Sequence, residues 1–306
     1  MIHYSLRQLR YFITAAELKS TSAAARQLHI SQPSVSTAIR QLEESFGQAL
    51  ALRQRGSGIT PTPYGRMIMR KGRHLLELAD NLHDPLGGIP SGSVLIGCFI
   101  DISPYYLPAI LQQLHRKHPE IQPSIVHGEL DGIPLLLKRG EVDIAITYGV
   151  LLDDELRHET LRETTPHALL AADHPLATAD SLTLERLLQE PFILSDTPYS
   201  SEFLLTVLAS RGLEPRVAWN AGTFELLRGM VANGLGVSMA YTQPRCSKSY
   251  DGHELVYRPI SDPLPSQKIV LVRHRDARLT PATQAVWDTI RADRVWQDTP
   301  VQPTLP

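Results

Sequence analysis

Apolar residues recur at helical spacing through the first third of the chain. Val35, Ile39, Leu42 and Phe46 fall at steps of four, three and four, which is one face of an α-helix turned toward a core. The opposite face then presents Gln32, Ser34, Thr37, Arg40 and Gln41 to solvent. Ser31 stands where an N-cap is needed, and Pro33 fits the first turn because N–H groups there lack intrahelical partners. Ala23, Ala24, Ala25 and Leu28 predict a small-residue helix ahead of it, and Leu6, Leu9, Phe12, Ile13 and Ala16 a first helix beneath both. Further on, Ile68, Leu75 and Leu82 repeat every seven residues within a helix expected over 64–83, with Leu78, Ala79 and Leu86 beside them. That stripe suits a partner helix or the chain's own body. Pro85, Gly87, Gly88 and Pro90 then break the helix and mark a hinge.

Beyond Ser93 the texture changes. Apolar runs at 94–99, 142–146 and 268–272 read as buried strands, separated by helical stretches over 107–118 and 133–139. Strands alternating with helices imply a mostly parallel α/β sheet, whose ligands bind at the carboxyl ends of strands. The chain divides near Pro166 and returns near Pro265, so two lobes joined by two crossing strands bracket one cleft. The fold class is α/β overall, with an all-α winged helix-turn-helix head over 1–62, a linker helix and hinge over 63–90 and a two-lobed α/β body over 91–297. Lobe 1 is expected over about 91–165 plus 267–297 and lobe 2 over about 166–266, with a tail rich in Pro, Gln and Thr at 298–306.

Charge separates along the same boundary. Residues 1–90 hold 11 Lys/Arg against 6 Asp/Glu, a net of +5, and the remainder 19 against 26, a net of −7, so the overall −2 hides a basic head on an acidic body. A basic head attracts phosphate with salt-dependent affinity. Two short helices, a tight turn and a basic hairpin form the layout of a major-groove reader. Gln32 and Ser34 sit at the end that such helices point at base edges, where Gln pairs bidentately with adenine and Ser reaches several acceptors. Arg53 and Arg55, ahead of Gly56-Ser57-Gly58, suit a wing that touches phosphate. The plainer alternative is a three-helix core with a solvated polar face.

Other chemistry is thin. The 12 His are scattered, and His115 and His118 share a helix face with only Glu120 nearby, so no metal is implied. Nucleotide-binding and nucleophile-elbow motifs are missing, so no catalytic residue and no cofactor is implied. Of two cysteines, Cys98 lies in an apolar strand and Cys246 in a polar loop; a redox switch through both is a minor alternative. No N-terminal apolar signal and no long apolar stretch is present, which predicts a cytoplasmic protein without membrane contact.

Ala24-Ala25, Leu28, Ser31-Gln32-Pro33, Ser36, Leu42-Glu43, Gly47, Leu50, Arg53, Thr62 and Gly65 stand where LysR-type transcriptional regulators carry their signature. The resemblance runs through the whole chain, and His174-Pro175-Leu176-Ala177 and Gly234-Leu235-Gly236-Val237 fall where that family has comparable motifs. It implies that Gln32, Pro33, Ser36 and Thr37 lie against double-stranded DNA, and that the body resembles type II periplasmic binding proteins and takes a small-molecule effector. It further implies a homodimer through the linker helix, with dimers that pair into tetramers. Thr21 and Ala51 stand where the family usually has Phe, and Phe46 where Leu is common, which predicts a repacked head core.

For the cleft, Asp101, Ser103, Thr147, Tyr148, Ser195, Thr197 and Thr223 are nominated as polar groups at strand ends or helix starts. The same residue types serve as plain N-caps. A carboxylate at Asp101 is expected to occupy the positive end of the following helix and repel an anionic ligand, leaving a neutral or cationic one. Three readings follow: a ligand-responsive transcription factor, a constitutive or architectural DNA-binding repressor, and an enzyme built on binding-protein-like lobes. Without a recognisable nucleophile and base the enzyme is the weakest, and no catalytic role is assigned.

Overall fold

Serine caps fix where the first helices begin. The computed structural model describes residues 3–53, 58–80 and 89–297. Helices α1 (Leu6–Glu17), α2 (Thr21–Gln27) and α3 (Gln32–Phe46) start at Ser5, Ser20 and Ser31, each of which accepts a hydrogen bond from the N–H three residues on. Gly47, in the left-handed region with φ 65°, ends α3. Leu9, Phe12, Ile13, Ala24, Ala25, Val35, Ile39 and Leu42 bury together. Two expected core residues behave differently. Leu6, the first residue of α1, is exposed, and Phe46 is half-buried between Tyr4 and Tyr64.

Strands β1 (Ala51–Arg53) and β2 (Ile59–Pro61) pair antiparallel after α3. Glu43 holds them to α3, its Oε1 accepting from the N–H groups of Leu50 at 2.9 Å and Ala51 at 3.2 Å. Thr62 Oγ1 donates to the Ala49 carbonyl and accepts from the Gly65 N–H. Glycine is required at 65, since a Cβ there would stand 1.9 Å from the Leu50 carbonyl oxygen. The long helix α4 (Pro63–Asp80) follows. Its expected partner-facing stripe divides: Ile68 is buried in the head's own core with Met69, because α4 packs on α1, while Leu75 is 40% exposed. Leu82, Leu86 and the hinge residues Pro85, Gly87 and Gly88 lie outside the described residues, as does the 298–306 tail.

Lobe 1 comprises β3 (Gly92–Phe99), α5 (Ser103–Lys117), β4 (Ile121–Gly128), α6 (Gly132–Arg139), β5 (Ile144–Tyr148) and β6 (Leu156–Thr164). Lobe 2 follows with β7 (His167–Ala171), α7 (Leu184–Leu187), β8 (Phe192–Ser195), α8 (Pro198–Ala209), β9 (Val217–Ala221), α9 (Phe224–Ala232), β10 (Ser238–Ala240) and β11 (Leu255–Pro259). The chain then returns to lobe 1 through β12 (Gln267–His274) and α10 (Pro281–Arg291). The first sheet has the order β4-β3-β5-β12-β6, and lobe 2 holds β10-β7-β11 and the pair β8-β9.

The expectation of a mostly parallel sheet needs correcting. β3 runs parallel to β4 and β5, but β12 is antiparallel to both β5 and β6, because it brings the chain back from the other lobe. In lobe 2, β7 is antiparallel to β10 and β11, and β8 and β9 are parallel. Trp287 and Trp296 cover one face of the lobe 1 sheet, with Trp296 stacked on Tyr106 at 4.8 Å.

Candidate functional site

The head presents the face that its periodicity predicts. Val35, Ile39 and Leu42 point inward, so Gln32, Pro33, Ser34, Thr37 and Arg40 are exposed along one side of α3 and Ser36 is half-buried beside them. Gln32 Nε2 donates to Ser36 Oγ at 2.9 Å and to Thr21 Oγ1 at 3.2 Å, which holds the amide at the N-terminal end of α3. Thr21, where a larger apolar residue was the usual occupant in the resemblance, thereby serves as a tether for Gln32. Arg40 lies 3.9 Å from Glu44 on the exposed face. Arg53 ends β1, and Arg55 lies outside the described residues.

Between the lobes is a cavity of about 380 Å³, lined on the lobe 1 side by Phe99, Asp101 and Tyr148 and on the lobe 2 side by Phe203, Phe224 and Tyr241. Two edge-on ring pairs form its walls, Phe99 with Tyr148 at 6.0 Å and Phe203 with Tyr241 at 5.7 Å. Ser195 also lines it. The lobes touch around this space: Phe224 N–H donates to Asp101 Oδ1 at 3.4 Å, Tyr105 O–H donates to Glu225 Oε1, and Tyr148 and Thr242 hydroxyls meet at 2.8 Å. Burial pushes the Asp101 carboxyl up to about 6, against the Phe224 hydrogen bond and with Glu129 and Glu225 adding repulsion. Burial likewise pushes the Tyr148 hydroxyl up.

Three of the seven nominated cleft residues, Asp101, Tyr148 and Ser195, line the cavity. The other four are not among its lining residues. Ser103 Oγ, at the start of α5, donates back to the Ile100 carbonyl in the preceding turn. Thr147, 1% exposed, faces away from Tyr148 along the strand, and its Oγ1 has no hydrogen-bond partner among the described residues. Thr197 Oγ1 meets Ser195 Oγ at 3.0 Å, and Thr223 caps α9 by accepting from the Leu226 N–H. Asp101 also departs from expectation: it faces the start of α9, not that of α5, whose N-cap is Ile102 without a side-chain bond. Phe203 and Tyr241 were not nominated. Tyr241 directly follows β10, so the strand-end rule that found Tyr148 also reaches it.

Helix α4 joins head and body. Arg70 Nη1 donates to the Lys138 carbonyl at 3.2 Å, and Arg73 Nη1 to the Gly140 carbonyl at 3.1 Å, so both arginines cap the C-terminal end of α6. Arg73 Nε also binds Glu17 of α1 at 2.8 Å. Cys98 is buried and its thiol is pushed up by burial, away from the thiolate form; Cys246 is exposed. Among the described residues no helix is long and apolar enough to cross a membrane.

A helix-turn-helix head, a long connecting helix and a two-lobed body around a cleft define a DNA-binding regulator with a ligand-binding domain. The chain belongs to the LysR family: residues 6–66 match the bacterial regulatory helix-turn-helix protein description of that family, and residues 87–294 match the LysR substrate binding domain. It is thus a LysR-family transcriptional regulator. Among solved structures it is similar to HinK, a LysR family transcriptional regulator from Pseudomonas aeruginosa, at 34% identity and a TM-score of 0.62 over 94% of this chain and 98% of that one. Full-length OxyR from Pseudomonas aeruginosa aligns with a TM-score of 0.73 at 25% identity, over 96% of this chain and all (100%) of the other. Among curated sequences, the HTH-type transcriptional regulator YfeR of Shigella flexneri is 28% identical over 301 residues, 95% of this chain and 94% of that protein.

Proposed function

We propose that a small molecule closing on the cleft changes how two copies of this chain set their α3 helices in successive major grooves. Gln32, Pro33, Ser34, Ser36, Thr37 and Arg40 read base edges, and Arg53 and Arg55 hold phosphates. Pairing of copies runs through the exposed part of α4 around Leu75, and dimers pair further into tetramers. Two heads on one operator make affinity sensitive to their spacing, so a small movement of α4 is enough to change occupancy.

The observation that carries this reading is the double engagement of Arg73, which binds Glu17 in the head and the Gly140 carbonyl at the end of α6 in the body. α6 packs on β3 and β5, and those strands lead into Phe99, Asp101 and Tyr148 at the cleft. A shift of lobe 1 therefore reaches α1 of the head directly through Arg73, beside the Arg70 tie between α4 and α6. The test is selection of bound fragments from genomic DNA with the purified protein, followed by binding of the best fragment by Arg73→Ala. Affinity is expected to stay within about threefold, as befits loss of a half-exposed ion pair, while its change on adding a metabolite extract disappears. An unaltered response to the extract would contradict this coupling.

A further inference from the structure

Two charged side chains, Asp101 and Glu202, line the interlobe cavity, and both are acids; among its lining residues there is no Lys, Arg or His. Everything else polar around it is a hydroxyl, an amide or backbone. The rings of Phe99, Tyr148, Phe203 and Tyr241 present their edges and faces from both lobes. Such walls attract an apolar body and, through ring quadrupoles, a cation held among them.

The guanidinium that pairs with Glu225 on α9 is already committed. Arg228, one turn into α9, is fully buried. Its Nε donates to the Tyr257 hydroxyl, its Nη1 to Glu225, and its Nη2 to the carbonyls of Cys246 and Lys248. It therefore has no free fork for an incoming carboxylate. Asp101 itself accepts one hydrogen bond among the described residues, a long one of 3.4 Å from Phe224 N–H. The charged groups acting on it are Glu129 and Glu225, both negative. A ligand anion placed here would meet like charge with hydroxyl and amide donors but no cationic side chain in the lining to offset its desolvation. A ligand cation would meet an under-used carboxylate at the inner end and Glu202 toward the solvent.

We infer that the effector is a compact molecule with an aromatic or otherwise apolar body and a single protonated amine, the ammonium donating to Asp101 and the body lying between the Phe99–Tyr148 and Phe203–Tyr241 pairs. This rests on the reading of the cleft as the effector site. Asp101 fixes the orientation of the amine, and Glu202 draws it toward the mouth. A cavity of about 380 Å³ lies at the small end of ligand pockets, which begin at roughly 300 Å³, so a body of one or two rings fits.

The test uses the full-length protein and the neutral, two-ring fluorescent reporter prodan, displaced by phenylbutylamine, phenylbutanol or phenylbutyrate. The amine is expected to displace the reporter at about one-tenth the concentration the alcohol needs, a ratio typical of one charge-assisted hydrogen bond, and the carboxylate to be the weakest. Asp101→Asn should abolish the advantage of the amine and leave the alcohol unchanged, which also shows that the variant cleft is folded. Glu202→Gln should lower the advantage by a smaller factor. An amine no better than the alcohol, a carboxylate that binds best, or an advantage that survives Asp101→Asn would each overturn the inference while leaving the cleft as a ligand site. The underlying reading fails separately if Ala240→Trp and Ser200→Trp, which fill the cavity from two sides, leave reporter uptake unchanged.

Discussion

Individual side chains in the body carry measurable signatures of burial. Asp101 titrates at about 6 in the folded chain against an ordinary 3.8, so the folded state favours its protonated form. The associated stability is complete below about pH 4 and is lost as pH rises through 6. Asp101→Asn is therefore expected to raise folding stability by about 1–3 kcal/mol near pH 7.5, the range that a shift of this size allows for a partly exposed group, with the gain vanishing at about pH 4; thermal unfolding across pH reads this. His167 has the opposite sign. Burial beside Tyr257 pushes it down from 6.5 to about 4, so its contribution is present above 6.5 and lost as pH falls through about 4. His167→Phe, which keeps a ring against Tyr257, should flatten that acid slope by about 2–3 kcal/mol. At this scale Asp101 was legible as a cleft residue from its place after β3, but its partner was not, because the N–H it meets belongs to Phe224 on another lobe.

Elements show where periodicity is sufficient and where it is not. The spacing of Val35, Ile39 and Leu42 assigns both faces of α3 because one face is core and the other solvent. Ile68 has the same kind of spacing, yet it packs into the head, since a heptad says that a face is covered and not by what. The contact is close: a Cβ on Gly72 would lie 2.9 Å from side-chain atoms of both Leu9 and Ile13. Gly72→Leu should accordingly push α4 away from α1 and cost about 1–3 kcal/mol by overpacking, read as a lower denaturation midpoint. Helix α8 escaped notice for a different reason. Apolar residues surround much of it, and its Phe203 faces a cleft that exists only once β5, α8 and the segment after β10 are brought together from distant parts of the sequence. The antiparallel sense of β12 was hidden likewise, because a strand's composition does not record the direction from which the chain returns.

Taken as a whole, the molecule joins a helix-turn-helix head to a two-lobed body and its cleft through one long helix. Ser31, Glu43, Thr62 and Gly65 fix the joints between the elements of the head, and Arg70 and Arg73 tie it to α6. At the DNA end, Gln32→Ala should reduce discrimination between the selected site and a one-base variant by about 1–3 kcal/mol, the worth of a bidentate base contact, while nonspecific binding at low salt is retained through the basic head. Fluorescence anisotropy with the two duplexes measures the difference. Head, linker and two-lobed body could be read from patterning alone, as could the polar face of α3. The aromatic walls of the cleft and the arginine ties could not, since both are products of tertiary approach.

The most direct test of the account is a footprint on the best genomic fragment, taken with and without a metabolite extract. A paired, dyad-symmetric footprint that shortens or shifts when the extract is added is the predicted result. Protection that is identical under both conditions would contradict ligand control, and the absence of any specific site would contradict the assignment of the α3 face to DNA.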